Sequence, residues 1–353
     1  MIDLVLNYEK IKLAKHGQMS EGRRYMKYHD FLNTVSRFRF GLKWFGPKES
    51  ERAREARGDF LDAYYLFHRC LDDPIDGDAK LPRGHQSLEA FIDQKIRFSK
   101  SLKNPLDELD HLLLYCYQLA EEFGEDFKEE TTDILESMAF DVTRRDYFRK
   151  REGMMITPRE ELGSQFDLLD VRGTTKGTLK IFGEDPEKYT YLQPLAVAER
   201  IHYNLRDFAE DIHAGYVNIP EEDVSKFQIL EGIWKAVRFQ SWNYLSLLDR
   251  IADSGERKRK KKKFVKEAEV EFLTYLPYQI SGWFLQEAQD GLELLAEYKQ
   301  NLKEVHFRWL TRWTLKNVYE KKARAYFKKV IKTLDRPNKK LISVPPDICE
   351  ESE

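Results

Sequence analysis

Two clusters of carboxylates contain the residues of this chain that are best suited to chemistry. Asp207, Glu210 and Asp211 lie in one stretch of helical periodicity, and at 3.6 residues per turn Asp207 and Asp211 would be about 40° apart around the helix axis. Like charges at this spacing destabilise a helix unless solvent or a cation compensates them. Magnesium prefers such oxygen ligands and bridges them to substrate phosphates. The pattern indicates either a magnesium site or an exposed acidic face paired with Arg200 and Arg206.

The second cluster has four aspartates in seven residues, from Asp72 to Asp78. An EF-hand calcium loop that begins at Asp72 would place Arg83 where a bidentate glutamate is required, so this kind of site is excluded. Asp72 and Asp76 repeat the i,i+4 spacing, so two helices would each present a pair of aspartates. Pro74 predicts that the first of these helices kinks or ends there.

Helices must position both clusters, because apolar residues recur at spacings of three and four along most of the chain, as at Leu106, Leu109, Leu113, Tyr117 and Ala120. Alternating strand patterns bounded by hairpin signals are hard to find. The sequence therefore predicts an all-α protein in which turns rich in glycine and proline separate the helices. Helices are expected at roughly 52–73, 87–100, 125–150, 160–182, 189–213, 229–252, 264–299 and 303–333.

The composition excludes several classes of protein. The 353 residues are 41% hydrophobic and 34% charged, which suffices for a large core. Because 59 Lys and Arg nearly cancel 61 Asp and Glu, a chain that mainly neutralises nucleic-acid phosphates is not expected. Three dispersed cysteines exclude a disulfide framework and a CxxC zinc module. With no secretory signal and no apolar stretch of about 20 residues, we expect a cytoplasmic protein that does not span a membrane.

The chain is predicted to form a single all-α domain over residues 31–335, preceded by an extension, 1–30, and followed by a tail, 336–353. Seven consecutive cations occupy 257–263, in a predicted loop or frayed helix start. This segment is either solvated or in contact with a polyanionic substrate or anionic lipid headgroups, which would place the protein at the periphery of a membrane. The oligomeric state stays open.

The two acidic clusters and several other segments resemble the motifs of a known protein family. Tyr65-x-x-x-Arg69-x-x-Asp72-x-x-x-Asp76 resembles the first aspartate-rich motif of squalene and phytoene synthases, and the residues 205–211 resemble the second. The segment 215–222 is similar to the family's G-R-x-Y-x-P-x-E, with Tyr216 and Asn218 as departures. Ser36 and Arg37, followed by Phe38 and Phe40, resemble an S-[KR]-x-F box, and Met138 and Asp141 resemble an M-x-x-D motif. The resemblance covers about 30–225 and marks the chain as a divergent member.

The resemblance implies an isoprenoid-synthase helical bundle with a central prenyl-binding cavity. It also implies magnesium-dependent head-to-head condensation of two prenyl diphosphates, with Mn²⁺ as a possible substitute. Asp72, Asp76, Asp207 and Asp211 would hold the metal, while Glu210 would orient a metal-bound water or an arginine. The residues expected to bind the substrate are Ser36, Arg37, Tyr65, Arg69, Arg172, Lys176, Asn204 and Arg206.

One departure from the family's motifs affects which product we expect. Where the family carries Y-x-x-Y, this chain has Asp167 and Asp170, followed by Arg172 and Lys176. These two cations either bind diphosphate or pair with the two aspartates. A non-catalytic binding or assembly module and a one-substrate class I terpene synthase therefore remain alternatives. The residues 72–77 resemble the phytoene-type D-E-L-V-D-G more than the squalene-type D-T-L-E-D, which favours coupling without reduction and leaves a role for NADPH open.

Overall fold

All regular secondary structure in the described residues is helical, which confirms the all-α class. The computed structural model describes residues 4–5, 8–13, 36–77, 79–151, 153–227, 231–253 and 257–335, and no strand occurs among them. After short helical pieces at 4–5 and 8–13, the elements are α1 (36–45), α2 (Glu51–Asp76), α3 (Leu88–Ser101), α4 (Glu108–Glu122), α5 (Lys128–Arg151), α6 (Arg159–Phe166), α7 (Lys176–Ile181), α8 (Tyr189–Arg206), α9 (Phe208–Ala214), α10 (Glu221–Lys226), α11 (Glu231–Asp253), α12 (Arg257–Thr274), α13 (Tyr278–Glu304), α14 (Trp309–Thr314) and α15 (Lys321–Leu334).

Helix α2 carries the first acidic cluster at its carboxyl end. The Ser50 side chain caps its start by accepting a hydrogen bond from the Ala53 amide. Pro74 lies in the last turn, and the helix continues past it to Asp76. Gly77 ends the helix in the left-handed region, at φ 82°, which favours glycine. Asp72 and Asp76 therefore both belong to α2.

The run expected as one helix over 189–213 is divided at Asp207. Helix α8 ends at Arg206, α9 begins at Phe208, and the backbone of Asp207 departs from helical geometry, at φ −95° and ψ 5°. The Asp211 amide still donates to the Asp207 carbonyl at 2.9 Å. The two aspartates thus keep the spacing of one turn, but not along an uninterrupted helix.

Two π-helical segments interrupt longer helices. The first, Asp167–Thr175, joins α6 to α7, and the second, Leu315–Glu320, joins α14 to α15. Gly173 lets the first segment approach α5, since a Cβ there would lie 2.4 Å from Ile134 Cγ1. Segments of this kind are rare and are found often at functional sites.

The buried side chains form two hydrophobic clusters. The first joins α2, α3, α4 and α5 through residues such as Phe60, Phe67 and Phe91. It also includes Tyr8 and Ile11 of the expected amino-terminal extension. The second joins α8, α9, α13 and α15, with Trp283 and Phe284 at its centre. The two acidic motifs are thus supported by different clusters.

The remaining expectations concern the cationic run and the ends of the chain. The backbone of 257–263 is helical, as the start of α12, while its side chains lie outside the described residues. The tail 336–353 and most of 1–30 also lie outside them. Within the described part of the chain, every helix is too short or too polar to cross a bilayer.

Candidate functional site

The carboxyl end of α2 is bonded to the segment that follows the second acidic motif. The Tyr216 hydroxyl donates to the Ile75 carbonyl at 3.1 Å, and Arg145 of α5 donates to the Pro74 carbonyl at 2.7 Å. The helix ends here, so its last carbonyls are open to further donors, although the Pro74 carbonyl also accepts from the Gly77 amide at 3.2 Å. The two bonds hold the aspartates of the first motif beside the 207–218 segment.

A chain of hydrogen bonds links α5 to the second motif. Asn218 donates from Nδ2 to Asp211 Oδ2 at 2.8 Å and accepts at Oδ1 from Arg144 Nη1 at 2.9 Å. The same guanidinium pairs with Asp141, in the position of the family's M-x-x-D motif, at 2.5 Å. Tyr216 and Asn218, the two departures from the 215–222 pattern, therefore both make contacts that organise the acidic residues.

Carboxylates of α2, α5 and α9 interact with one another at the carboxyl end of α2. Desolvation by surrounding protein atoms raises the pKa of Asp76 well above its usual value, although the residue is exposed at the end of α2. The negative charges of Asp72, Asp141 and Asp211 raise that pKa further, while Arg69 lowers it. Asp76 thus experiences carboxylates of α2, α5 and α9 together, so the two motifs share one electrostatic environment.

The arginines of the motifs are paired with neighbouring aspartates. Arg69 forms ion pairs with Asp72 and Asp73, and Arg206 pairs with Asp207 through two bonds, with Nε to Oδ1 at 2.9 Å. For Arg69 and Arg206, an ion pair with a neighbouring aspartate is the alternative to binding a phosphate. In this arrangement the guanidiniums already lie beside the carboxylates, where a substrate oxyanion could compete for them.

A cavity of about 400 Å³ lies between the two hydrophobic clusters, within the usual range for ligand pockets. Its walls are mainly apolar and aromatic and come from both clusters, with Phe38, Tyr64 and Met138 from one side and Leu179, Leu192 and Leu195 from the other. Both π segments contribute to the lining as well. Of the aromatics that adjoin the acidic motifs, Tyr64 and Tyr65 line the cavity, whereas Phe67 and Phe208 are buried in the clusters.

The polar part of the lining connects the cavity to the carboxylates. Tyr65, Arg69 and Asp72 line it from the last turns of α2, and Asp170 lines it from the first π segment. Asp170 pairs with Arg200, with Oδ2 to Nε at 2.6 Å. Burial lowers the pKa of Arg200, but the charge and hydrogen bonds of Asp170, with smaller contributions from Asp141 and Asp211, raise it overall. Arg200 therefore lies between the cavity and the acidic residues.

The other predicted binding residues are not brought to the cavity wall. Ser36 and Arg37 are exposed on α1, which presents Phe38 to the cavity instead. Arg172 donates to Asp133 at 3.1 Å and Lys176 to Glu129 at 3.0 Å, so both pair with α5 and not with Asp167 or Asp170. Asn204 is buried, and its Oδ1 has no hydrogen-bond partner among the described residues. Glu210 adjoins Asp211 at the start of α9.

The donors suit magnesium only in part. In the portion of the chain that the structure describes, no three His, Cys, Asp or Glu side chains form a ready metal-binding group. The carboxylates around Asp76 are nevertheless hard oxygen donors whose mutual repulsion raises its pKa. Each carboxylate would therefore contribute a single ligand to a cation, and the oxygens of a bound phosphate would supply others. The described residues do not by themselves form a closed metal site.

Several residues of this site were not identified as site residues from the sequence. Glu199 and Tyr203 line the cavity from α8, and Arg144 and Arg145 bond the ends of the two motifs. The helical spacing offered a signal for the first two, since Glu199, Tyr203 and Asp207 follow one another at intervals of four. For Arg144 the i,i+3 spacing from Asp141 offered a signal. The other partners of Arg144 and the partner of Arg145 are backbone carbonyls and an amide from distant segments, which no sequence pattern identified.

Comparisons of the chain with protein-family models, with curated proteins and with solved structures found no match.

Proposed function

We propose that this protein is a magnesium-dependent prenyl transferase related to squalene and phytoene synthases, which condenses two prenyl diphosphates head to head. The observation that carries the proposal is the junction of α2 with the 207–218 segment beside an apolar cavity. There Asp76 experiences both Asp72 and Asp211, and Tyr216 bonds to Ile75. A diphosphate and a hydrocarbon chain are joined in a prenyl diphosphate, and this arrangement provides adjacent environments for both.

The acidic residues would hold the diphosphate end of the substrate. Asp72, Asp76, Asp207 and Asp211 are the residues assigned to magnesium, which when bound neutralises the departing diphosphate as its negative charge develops. Asp141 adds a further carboxylate beside Asp76.

The arginines would bind the diphosphate oxygens. Arg69 and Arg206 would exchange part of their present ion pairs for these oxygens, because a guanidinium binds phosphate bidentately and keeps its charge. Arg200 is held next to the same place by Asp170.

The cavity would hold the hydrocarbon and protect the cation left after the diphosphate departs. Its apolar walls exclude water, and Tyr64 and Tyr65 line it on the side of the first motif. A cation over such a ring gains roughly 0.5–2 kcal/mol.

A non-catalytic module that binds a prenyl diphosphate is the second candidate. The ion pairs of Arg69 with Asp72 and Asp73 and of Arg206 with Asp207 favour it, since each motif is already partly neutralised. Asp170, in the place of a family tyrosine, is also engaged by Arg200. Such a module would bind the substrate and magnesium without releasing pyrophosphate.

Product analysis separates these functions. Purified protein is incubated with magnesium and either farnesyl or geranylgeranyl diphosphate, with and without NADPH, and the hydrocarbons are identified by mass spectrometry. A coupled product in the absence of NADPH supports the proposal and the preference for coupling without reduction. Squalene formed only with NADPH would overturn that preference, while a product from one prenyl unit would indicate a one-substrate terpene synthase. If nothing turns over but magnesium and pyrophosphate raise the melting temperature, the binding module is supported.

A further inference from the structure

A group of aromatic side chains lies exposed on the outer side of the cavity wall. The side chains of Phe40, Trp44, Phe45 and Trp309 are 64%, 64%, 51% and 57% exposed, although such residues are normally buried. The rings contact one another, with centroids 4.6 Å apart for Phe45 and Trp309 and 6.3 Å apart for Phe40 and Trp44. We call these four residues the aromatic face. Exposed apolar patches of this kind mark interaction sites.

Close packing of α1 against α14 forms the aromatic face. Gly41 permits this contact, since a Cβ at that position would lie 2.5 Å from Leu310 Cδ1. Trp309 also stacks on Trp313 at 6.2 Å. The four exposed rings thus form two contacting pairs on the packed helices α1 and α14.

The segments around the aromatic face carry only positive charge. Residues 36–48 contain four Lys or Arg and no Asp or Glu, and residues 305–319 contain three Lys or Arg and no Asp or Glu. Lys43, Arg308, Arg312 and Lys316 are exposed there. The chain as a whole is almost neutral, so this concentration of cations is local. It complements an anionic surface.

Helices α1 and α14, which carry the aromatic face, also contribute residues to the lining of the cavity. Phe38 of α1 and Thr311 of α14 line it, and so does Leu315 at the start of the second π segment. An apolar molecule that leaves a bilayer at the aromatic face would therefore be separated from the cavity by only one layer of helices. Tryptophan rings among cations are typical of proteins that rest at the boundary between headgroups and acyl chains.

We propose that the aromatic face docks on an anionic lipid bilayer, with its rings at the level of the acyl chains and its cations at the headgroups. This surface is distinct from the cationic run 257–263, and it does not depend on the activity proposed above. Of the acidic side chains nearby, Glu49 is paired with Arg57, and Asp59 and Asp62 are paired with Arg39. Buried Glu184 accepts bonds from the Arg308 amide and the Thr311 hydroxyl.

Vesicle co-sedimentation of the full-length protein without substrate tests the proposal. We expect binding to vesicles of phosphatidylcholine mixed with phosphatidylglycerol, and at least about tenfold weaker binding to phosphatidylcholine alone. The double variant Trp44→Ser/Trp309→Ser should bind the mixed vesicles at least about tenfold more weakly. The variants Lys43→Gln and Arg312→Gln should each lose about fivefold, which corresponds to one cation at an anionic surface.

Two controls make the result specific. Trp242→Ser removes a tryptophan of similar exposure, 56%, from α11 and should leave binding unchanged. Lys261→Gln/Lys262→Gln alters the run 257–263 and should change binding less than the loss of the two tryptophans. Circular dichroism and the melting temperature establish that each variant folds.

Several outcomes would overturn the proposal. These are no binding of the native protein to mixed vesicles, binding that survives the loss of Trp44 and Trp309, or binding that depends on Lys261 and Lys262 instead. Light scattering that reveals a dimer abolished by Trp44→Ser/Trp309→Ser, together with no vesicle binding, would assign the aromatic face to a second copy of this chain. Selective loss in the tryptophan variant with a normal Trp242→Ser control would support docking on the bilayer.

Discussion

The hydroxyl of Tyr216 donates a hydrogen bond to the carbonyl of Ile75 at 3.1 Å, although the two residues are 141 positions apart. The bond connects the end of one acidic motif to the segment that follows the other. Both groups are buried, and the Ile75 carbonyl lies in the last turn of α2, where no intrahelical amide is available. The relative position of the two motifs thus depends on Tyr216, one of the two positions at which the 215–222 segment departs from the motif that it resembles.

Tyr216→Phe removes the hydroxyl and leaves the ring in place. We expect the free energy of unfolding to fall by about 1 kcal/mol, because the buried Ile75 carbonyl loses its donor. Urea denaturation monitored by circular dichroism measures the change. Tyr278→Phe is the matched control, since the Tyr278 side chain is 72% exposed. Equal stability of Tyr216→Phe and native protein would show that this bond does not hold the motifs together.

Much of the fold could be predicted from the spacing of apolar and acidic residues in the sequence. The spacing of apolar residues predicted most of the helices, although the run expected over 264–299 is divided into α12 and α13. The spacing of Asp72 and Asp76 placed both residues on α2, which continues through Pro74 although a kink or an end was expected there. The break of the helix at Asp207 could not be predicted from helical periodicity, because the spacing of apolar residues continues through it. The backbone bond from Asp211 to Asp207 also spans the break. The convergence of Asp141, Asp76 and Asp211 depends on tertiary packing through Arg144, Arg145 and Asn218, which no local pattern reveals.

The ion pair of Asp170 with Arg200 predicts how the chain responds to a tyrosine at position 170. Asp170→Tyr leaves the Arg200 guanidinium largely enclosed and without its partner, which we expect to lower the free energy of unfolding by about 2 kcal/mol. This is less than for a fully enclosed pair because solvent reaches both side chains. Adding Arg200→Leu should recover most of the loss. A double-mutant cycle in urea measures the coupling, and additive effects of the two substitutions would contradict it.

His68, which is partly buried and lines the cavity, predicts a loss of stability in acid. Its Nδ1 donates to the Tyr64 carbonyl at 2.8 Å, and burial lowers the pKa of His68 from 6.5 to about 4, although this bond opposes the shift. Between these pH values the unfolded chain binds a proton that the folded protein does not, so the free energy of unfolding decreases as the pH falls through this window.

The variant His68→Gln isolates this contribution. Its stability should depend less steeply on pH than that of the native protein between pH 6.5 and about 4, whereas above this window the difference between the two proteins should be constant. Urea midpoints at several pH values provide the test. Parallel curves through the acidic window would mean that His68 takes up its proton equally in the folded and unfolded states.

The most direct measurement is magnesium-dependent release of pyrophosphate from geranylgeranyl or farnesyl diphosphate by variants of the two acidic motifs. Asp76→Asn and Asp207→Ala should each reduce release by at least about a hundredfold while leaving the helical circular dichroism unchanged. The control Asp93→Asn, at an exposed position of α3, should match the native rate. Release by both motif variants at the native rate, or no release by the native protein with either substrate, would contradict a shared diphosphate site.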